Sequence, residues 1–243
     1  MIKRVIFNAD DFALTSGITR AIIEAHELGV VNSTTILGNC DEKLLIEAAD
    51  LASSHPNLGV GAHLVLTTRE PLLDTHKTLV DDQGFFKYKP DTLDDNIDLK
   101  ELYDEWKAQL NRLKEHFDLT HIDSHHHVHL DDRLHKVVRR LSREFKLPMR
   151  SVRDNLPTEV KADLGFYGEY ATLEYLQDTM NRFNGLIEFM VHPGYEDDTF
   201  LQEISSYNTL RQKELEILCS DKLKNFLKKH EINDIIYAKF KRK

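Results

Sequence analysis

Residues Lys3–Gly29 read KRVIFNADDFALTSGITRAIIEAHELG, and the order of residue types in this stretch decides the fold class. Lys3–Asn8 is a short, largely apolar run, expected to be a buried first strand. Two aspartates, Asp10 and Asp11, follow it at once. Ser16–Leu28 then carries apolar residues at helical spacing behind a Ser/Thr start, with Gly29 just past its end. Strand, polar turn and amphipathic helix together make one βα unit.

The unit recurs along the chain. Val30–Leu37 is a β-branched run followed by a helix near Glu42–Ser53, and Leu58–Leu66 is a third strand. Ile97–Phe117 places Leu102, Trp106, Leu110, Leu113 and Phe117 on one helical face. Leu119–Asp123 returns to strand, Leu130–Phe145 to helix, and Met149–Val152 is a short strand. A helix near Glu169–Phe183, a strand at Leu186–Val191, one or two helices over Leu210–Lys229 and a last strand at Ile232–Phe240 complete the pattern. About seven strands alternating with helices predict an α/β fold with mostly parallel strands. A distorted or incomplete (β/α) barrel is the first choice and an open doubly wound sheet the second. No repeat or low-complexity linker divides the chain, so residues 1–243 are read as a single domain. Two stretches fit no element. Arg153–Tyr167 is irregular, and Thr67–Asp98 is too long for an ordinary connection and is expected to be a lid or binding loop.

Composition narrows the function. A chain of 243 residues with 41% apolar content can bury a full core, and its formal charge of −9 argues against a nucleic-acid partner. Cys40 and Cys219 cannot form a disulfide framework, which favours a reducing compartment. The apolar start ends at Asn8, too early for a signal peptide, and no run approaches the ~20 residues of a membrane span. The expectation is a cytoplasmic protein that acts on small molecules.

Polar residues collect where the strands end: Asn8-Ala9-Asp10-Asp11, Ala62-His63, Asp123-Ser124-His125-His126-His127-Val128-His129 and Val191-His192-Pro193-Gly194-Tyr195. In an α/β barrel those ends share one face, where active sites are built. An Asp pair alone could cap a helix, His63 alone could be structural, and Pro193-Gly194 alone could be a turn. Four histidines in five residues are harder to explain as packing, and they point to a metal. Hydrolysis at a metal needs about three protein ligands with an open position, a general base and an acid for the leaving group. One carboxylate and two imidazoles supply the ligands, a second carboxylate the base, and a further histidine the acid.

NADDF with the following TSG, STT, GAHLVLT, THIDSHHHVH and MVHPGY, spread from Asp10 to Tyr195, resemble the YdjC-like family of carbohydrate deacetylases, which includes chitooligosaccharide deacetylases. The family usually has glycine after NADDF, where this chain has Ala13. The resemblance implies a distorted barrel, one divalent metal ion per chain (Mg2+ or Zn2+), assembly as a homodimer, and an acetylated mono- or oligosaccharide substrate that loses its N-acetyl group as acetate. It implies Asp11, His63 and His125 as metal ligands, Asp10 as base and His192 as acid. The broader deacetylase group uses two histidines four apart, so His129 stays open as a ligand, with a supporting or substrate-binding role preferred. Imidazole ligands favour zinc or another transition ion, whereas magnesium prefers oxygen. Arg153 could pair with Asp10 or form a surface salt bridge, and Phe85, Phe86 and Tyr88 in the long loop could stack on sugar rings, with ordinary loop packing the favoured alternative for any one of them. The alternatives are another barrel metal hydrolase, an amidohydrolase or phosphoesterase, and a non-catalytic sugar- or metal-binding protein. The first commonly opens with His-x-His after its first strand. The second has no use for a carboxylate beyond the ligands.

Overall fold

The first strand joins the two ends of the sheet. A computed structural model of the chain describes residues 3–152, 159–235 and 237. Its strands are β1 (Arg4–Phe12), β2 (Ser33–Leu37), β3 (Gly59–Leu64), β4 (Ile122–Ser124), β5 (Met149–Ser151), β6 (Glu159–Asp163), β7 (Leu186–Val191) and β8 (Asn233–Asp234). Each of β1 to β6 pairs in parallel with its successor, and β7 pairs in parallel with β1, which closes a seven-stranded barrel. The closure is uneven. β2 meets β1 only from Asn8 onward, and β8 pairs with Arg4 and Val5 on the edge left free. The expected distorted barrel is what forms, and the open sheet is not.

Helices α1 (Ser16–Glu27), α2 (Glu42–Ser54), α3 (Leu99–Lys114), α4 (His135–Phe145), α5 (Leu173–Arg182), α6 (Thr199–Ile204), α7 (Thr209–Cys219) and α8 (Asp221–Lys229) complete the chain. Strand residues that face them, such as Val5, Phe7, Val60, Ala62, Ile122, Met149, Ile187 and Phe189, merge with the helices into one apolar core. The opposite parity faces the lumen. There stand Asn8, Asp10, Ser33, Thr35, His63, His121, Asp123, Arg150 and Glu188, all buried and bonded to one another across the barrel. A separate small cluster of Ile6, Val160 and Tyr237 fills the lumen floor.

α1 starts as its sequence requires, with Thr15 Oγ1 accepting the N–H of Ile18. α3 organises the long loop that follows β3. Gln109 brackets Val65 with two hydrogen bonds, and the buried Glu105 carboxylate accepts the N–H groups of Leu72 and Leu73 and pairs with His76. Glu101 does the same for Lys77 and Thr78. β6 lies inside a stretch expected to be irregular. Only Val160 and Ala162 of its five residues are buried, too weak an alternation to read as a strand. The short α6 was likewise not expected. Of the expected strand Ile232–Phe240, the described residues form a strand at Asn233–Asp234, and residues 236 and 238–240 lie outside the described residues. Among the described residues no helix is long and apolar enough to cross a membrane.

Gly61, on the lumen side of β3, shows how tightly the interior is filled. A Cβ there would lie 2.4 Å from the His121 ring, which is fully buried and held by Thr120 at 2.8 Å and Asn8 at 2.9 Å. Neither side can yield cheaply. Gly61→Ala is expected to destabilise the fold by about 1–3 kcal/mol, the usual cost of overpacking. The urea midpoint should fall with an unchanged slope, and an unchanged midpoint would contradict the packing described.

Candidate active site

Neighbours on a regular strand point to opposite faces, yet Asp10 and Asp11 both line one cavity. The register explains it. Ala9 faces Thr34 and Phe12 faces Ile36, so β1 holds one residue more than β2 between those pairs, and Asp11 sits at φ 73°. A bulge of this kind re-aims side chains beside sites. Ala13 also lies in the left-handed region, at φ 64°. For a residue with a Cβ that conformation costs about 1–2 kcal/mol, which a glycine would not incur. After β4 the chain does something similar: His126 and His127 take φ 53° and 54°, which breaks the turn at His125–Leu130 and lets His125, His126 and His127 all reach the cavity.

The cavity measures about 510 Å³ at the C-terminal ends of the strands. Asp11, His63 and His125 meet in its wall with donor atoms within 4.8 Å of one another. Asp11 Oδ1 is 3.0 Å from His125 Nδ1 and 3.4 Å from His63 Nε2. His63 Nδ1 donates to Asp123 Oδ1 at 2.7 Å, which leaves Nε2 as the nitrogen facing Asp11. A carboxylate behind a metal-binding imidazole fixes its orientation in just this way. Asp10, His63 and Asp123 also lie within that mutual distance. A cation does not suit them, because the Arg150 guanidinium already stands between the two carboxylates. The set Asp11, His63 and His125 therefore fits a metal, with one carboxylate and two imidazoles and a cavity on the open side. Other residues of the same wall carry buried polar atoms with no hydrogen-bond partner among the described residues, His127 Nδ1, His192 Nδ1 and Arg211 Nη1.

Two arginines separate the adjacent aspartates. Arg150 grips Asp10 with both terminal nitrogens, at 2.7 and 2.5 Å, and Asn8 Nδ2 adds a third bond at 2.9 Å. Burial disfavours the Asp10 charge, but Arg150 outweighs it and holds the carboxyl well below its ordinary range. Arg211 of α7 bonds the other oxygen of Asp11, Oδ2, at 2.7 Å. Against burial, Arg211 and His125 likewise keep Asp11 ionised. His192 follows β7 with its ring in the cavity wall and its backbone N–H on Glu214. Burial, helped by Arg211, lowers its pKa to about 4 and keeps the ring neutral. Tyr167 and Tyr207 stack beside it with centroids 4.2 Å apart, and Tyr167 stays 45% exposed.

Asp10, Asp11, His63, His125 and His192 thus converge from four segments onto one cavity. The loop aromatics do not. Tyr88 turns inward and donates to the Thr78 carbonyl, Phe86 is buried, and Phe85 lies outside the cavity lining, which takes only Thr67, Thr68, Lys89 and Pro90 from the loop. His129 is fully buried between Ser124 and the Arg150 carbonyl and touches neither the cavity nor the metal-fitting set. The arginine on Asp10 is Arg150, while Arg153 lies outside the described residues. Sequence reasoning missed Arg150, Glu188, Arg211, Glu214, Tyr167 and Tyr207, and it placed Asp123 at a strand end without giving it a role. Glu188 left a trace, a charge set inside the apolar run of β7.

The chain is similar to known proteins over nearly its whole length. The model of the family described as YdjC-like protein matches residues 4–229. A carbohydrate deacetylase of Halalkalibacterium halodurans is 37% identical, covering 90% of this chain and 97% of its own. One from Oceanobacillus iheyensis is 38% identical, covering 89% and 96%. A solved protein of Enterococcus faecalis V583, named for cellobiose-phosphate cleavage, superposes with a TM-score of 0.92 at 32% identity over the full length of both chains. A family 4 carbohydrate esterase from Streptomyces lividans shares the fold alone, with a TM-score of 0.50 at 10% identity over 97% and 91% of the two chains.

Proposed function

The chain belongs to the YdjC-like protein family, and from that premise we propose that it is a carbohydrate deacetylase that hydrolyses the N-acetyl group of short amino-sugar oligosaccharides and releases acetate. One observation carries the reading: a metal-fitting set of Asp11, His63 and His125 shares its cavity with an ionised carboxylate and a neutral imidazole that the set does not use. A cavity of about 510 Å³ suits a small sugar. The imidazoles favour zinc over magnesium.

Asp11, His63 and His125 would hold the ion, which when bound polarises an acyl carbonyl and makes water a better nucleophile. Asp10 accepts the proton of the water that attacks the acetyl carbon. Arg150 and Asn8 keep that carboxylate in one orientation. The proton that Asp10 takes from water passes to His192 on the same cavity, whose charged form Asp10 favours, and His192 gives a proton to the departing amine and returns to the neutral ring. The C–N bond then breaks to give acetate and the free amine. Tyr167 offers the sugar an exposed ring face beside His192, in place of the loop aromatics. Thr67–Asp98 serves as a wall, held against α3, that limits how much of a sugar chain enters.

Acetate release from N-acetylglucosamine and its short oligomers, with and without a chelator, tests the reading. Asp11→Asn should lose metal, whereas Asp10→Asn should keep it and lower kcat by about 10²–10⁴-fold. Acetate release by verified metal-free protein, or metal loss confined to Asp10→Asn, would overturn the assignment. Tyr167→Ala should raise KM for the disaccharide up to about tenfold, the worth of an aromatic contact, with kcat little changed. An unchanged KM removes the ring from the binding site.

Metal affinity should depend on pH through His63. Burial opposes the charged ring, but Asp123, Asp11 and Asp10 outweigh it and push the metal-free pKa up to about 10. At neutral pH the ring is therefore protonated, and an ion must displace that proton. Zn2+ affinity is expected to rise by about tenfold per pH unit from neutrality toward pH 10 and then level off. Competition with a chromophoric chelator measures it, and a flat profile contradicts the ligand role of His63.

A further inference from the structure

Tyr237, just after β8 on the floor of the barrel, reaches Asp10 by two routes. Its hydroxyl donates to Glu188 Oε2, and Glu188 Oε1 accepts Arg150 Nε at 2.7 Å. The two terminal nitrogens of that guanidinium hold Asp10, and one of them also lies 3.0 Å from Asp123. The second route runs through the ring. Tyr237 lies flat on His121, with centroids 3.8 Å apart and planes 4° apart. His121 Nε2 is 2.9 Å from Asn8 Oδ1, and Asn8 Nδ2 donates to Asp10 Oδ1 at 2.9 Å. Both chains of contact start at one phenol and end on one carboxylate.

We propose that Tyr237 and Glu188 are positioning residues, which fix the plane of Arg150 and through it the orientation of Asp10 and of the Asp123–His63 pair. The proposal rests on the reading of Asp10 as base and His63 as ligand. The guanidinium is a planar fork, and holding its Nε–H end determines where its two other nitrogens point. Glu188 does that holding, and the phenol fixes Glu188. Packing alone would be served as well by phenylalanine beside Ile6 and Val160. The hydroxyl is thus the part that packing does not explain, and a buried hydroxyl left without a partner would cost stability.

The test compares Tyr237→Phe, Glu188→Gln and their double variant with Val160→Ala, a packing control on the same floor. Two quantities are read on the full-length protein: Zn2+ affinity by chelator competition, and kcat and KM for acetate release. Tyr237→Phe and Glu188→Gln should each weaken Zn2+ binding or lower kcat by about tenfold at unchanged KM, as loss of outer support to a site does. The double variant should be no worse than the worse single one, because both act through Arg150. Val160→Ala should lower Tm and leave both readouts unchanged. Wild-type Zn2+ affinity and kcat in both single variants, or losses that Val160→Ala reproduces at an equal fall in Tm, would overturn the proposal. If Glu188→Gln fails to fold, Tyr237→Phe decides alone. Should the wild-type protein release acetate from no acetylated sugar, the functional reading fails, while the Zn2+ comparison still decides the positioning role.

Discussion

One buried guanidinium holds the interior of this barrel together. Arg150 is fully buried, and Asp10, Asp123 and Glu188 are its partners, all within the lumen. Three carboxylates around one cation cannot all be ionised cheaply in a dry interior. The strain falls on Glu188, where burial outweighs the attraction of Arg150 and the Tyr237 hydrogen bond and pushes the pKa up to about 7. Asp10 keeps its charge because it takes both terminal nitrogens. A network of this kind gives little net stability by itself. Its loss is expensive, because removal of one member leaves buried charges unpaired. The lumen is therefore rigid for an electrostatic reason, and the helices outside can pack as an ordinary apolar layer.

That rigidity lets the strand ends carry irregular backbone. The bulge in β1, the left-handed Asp11 and Ala13, and the paired left-handed His126 and His127 are each unfavourable. Their shared consequence is that five polar side chains, from segments up to 182 residues apart (Asp10 to His192), face one cavity. Ala13 shows the cost most plainly, since a glycine would adopt its backbone conformation without penalty.

Much of this was legible in the sequence, for physical reasons that differ by region. The strand–helix alternation carries the barrel, and the polar residues at strand ends carry Asp10, Asp11, His63, His125 and His192 onto one face. β6 has too few apolar residues, and α6 with its six residues too few turns, for a period to stand out. The support of the site was harder to read because it is set by contacts across the barrel. Arg150 belongs to β5 and Arg211 to α7, and no local spacing ties either to an aspartate at the start of the chain. The aromatic wall moved for a similar reason. Tyr88 lies in a long loop, which suggests a binding surface, but the Thr78 carbonyl claims its hydroxyl and turns the ring inward. Tyr167 stands in a stretch with no pattern and becomes part of the wall because Tyr207, anchored by Glu214, offers it a face to stack on.

The two adjacent aspartates show how a fold assigns different work to the same residue type. Asp10 has both oxygens on Arg150, and Asn8 adds a further bond, so it has little left to offer an ion. A cation approaching it would also meet the charge of Arg150. Asp11 has one oxygen on Arg211, and that arginine lies on the far side from His63 and His125, since it bonds Oδ2 while both histidines face Oδ1. Oδ1 is thereby turned toward two imidazoles and the open cavity. The difference comes from which arginine each carboxylate meets, and that is decided by the extra residue in β1: without the bulge, one of the pair would point into the apolar layer between sheet and helices, where neither arginine could reach it.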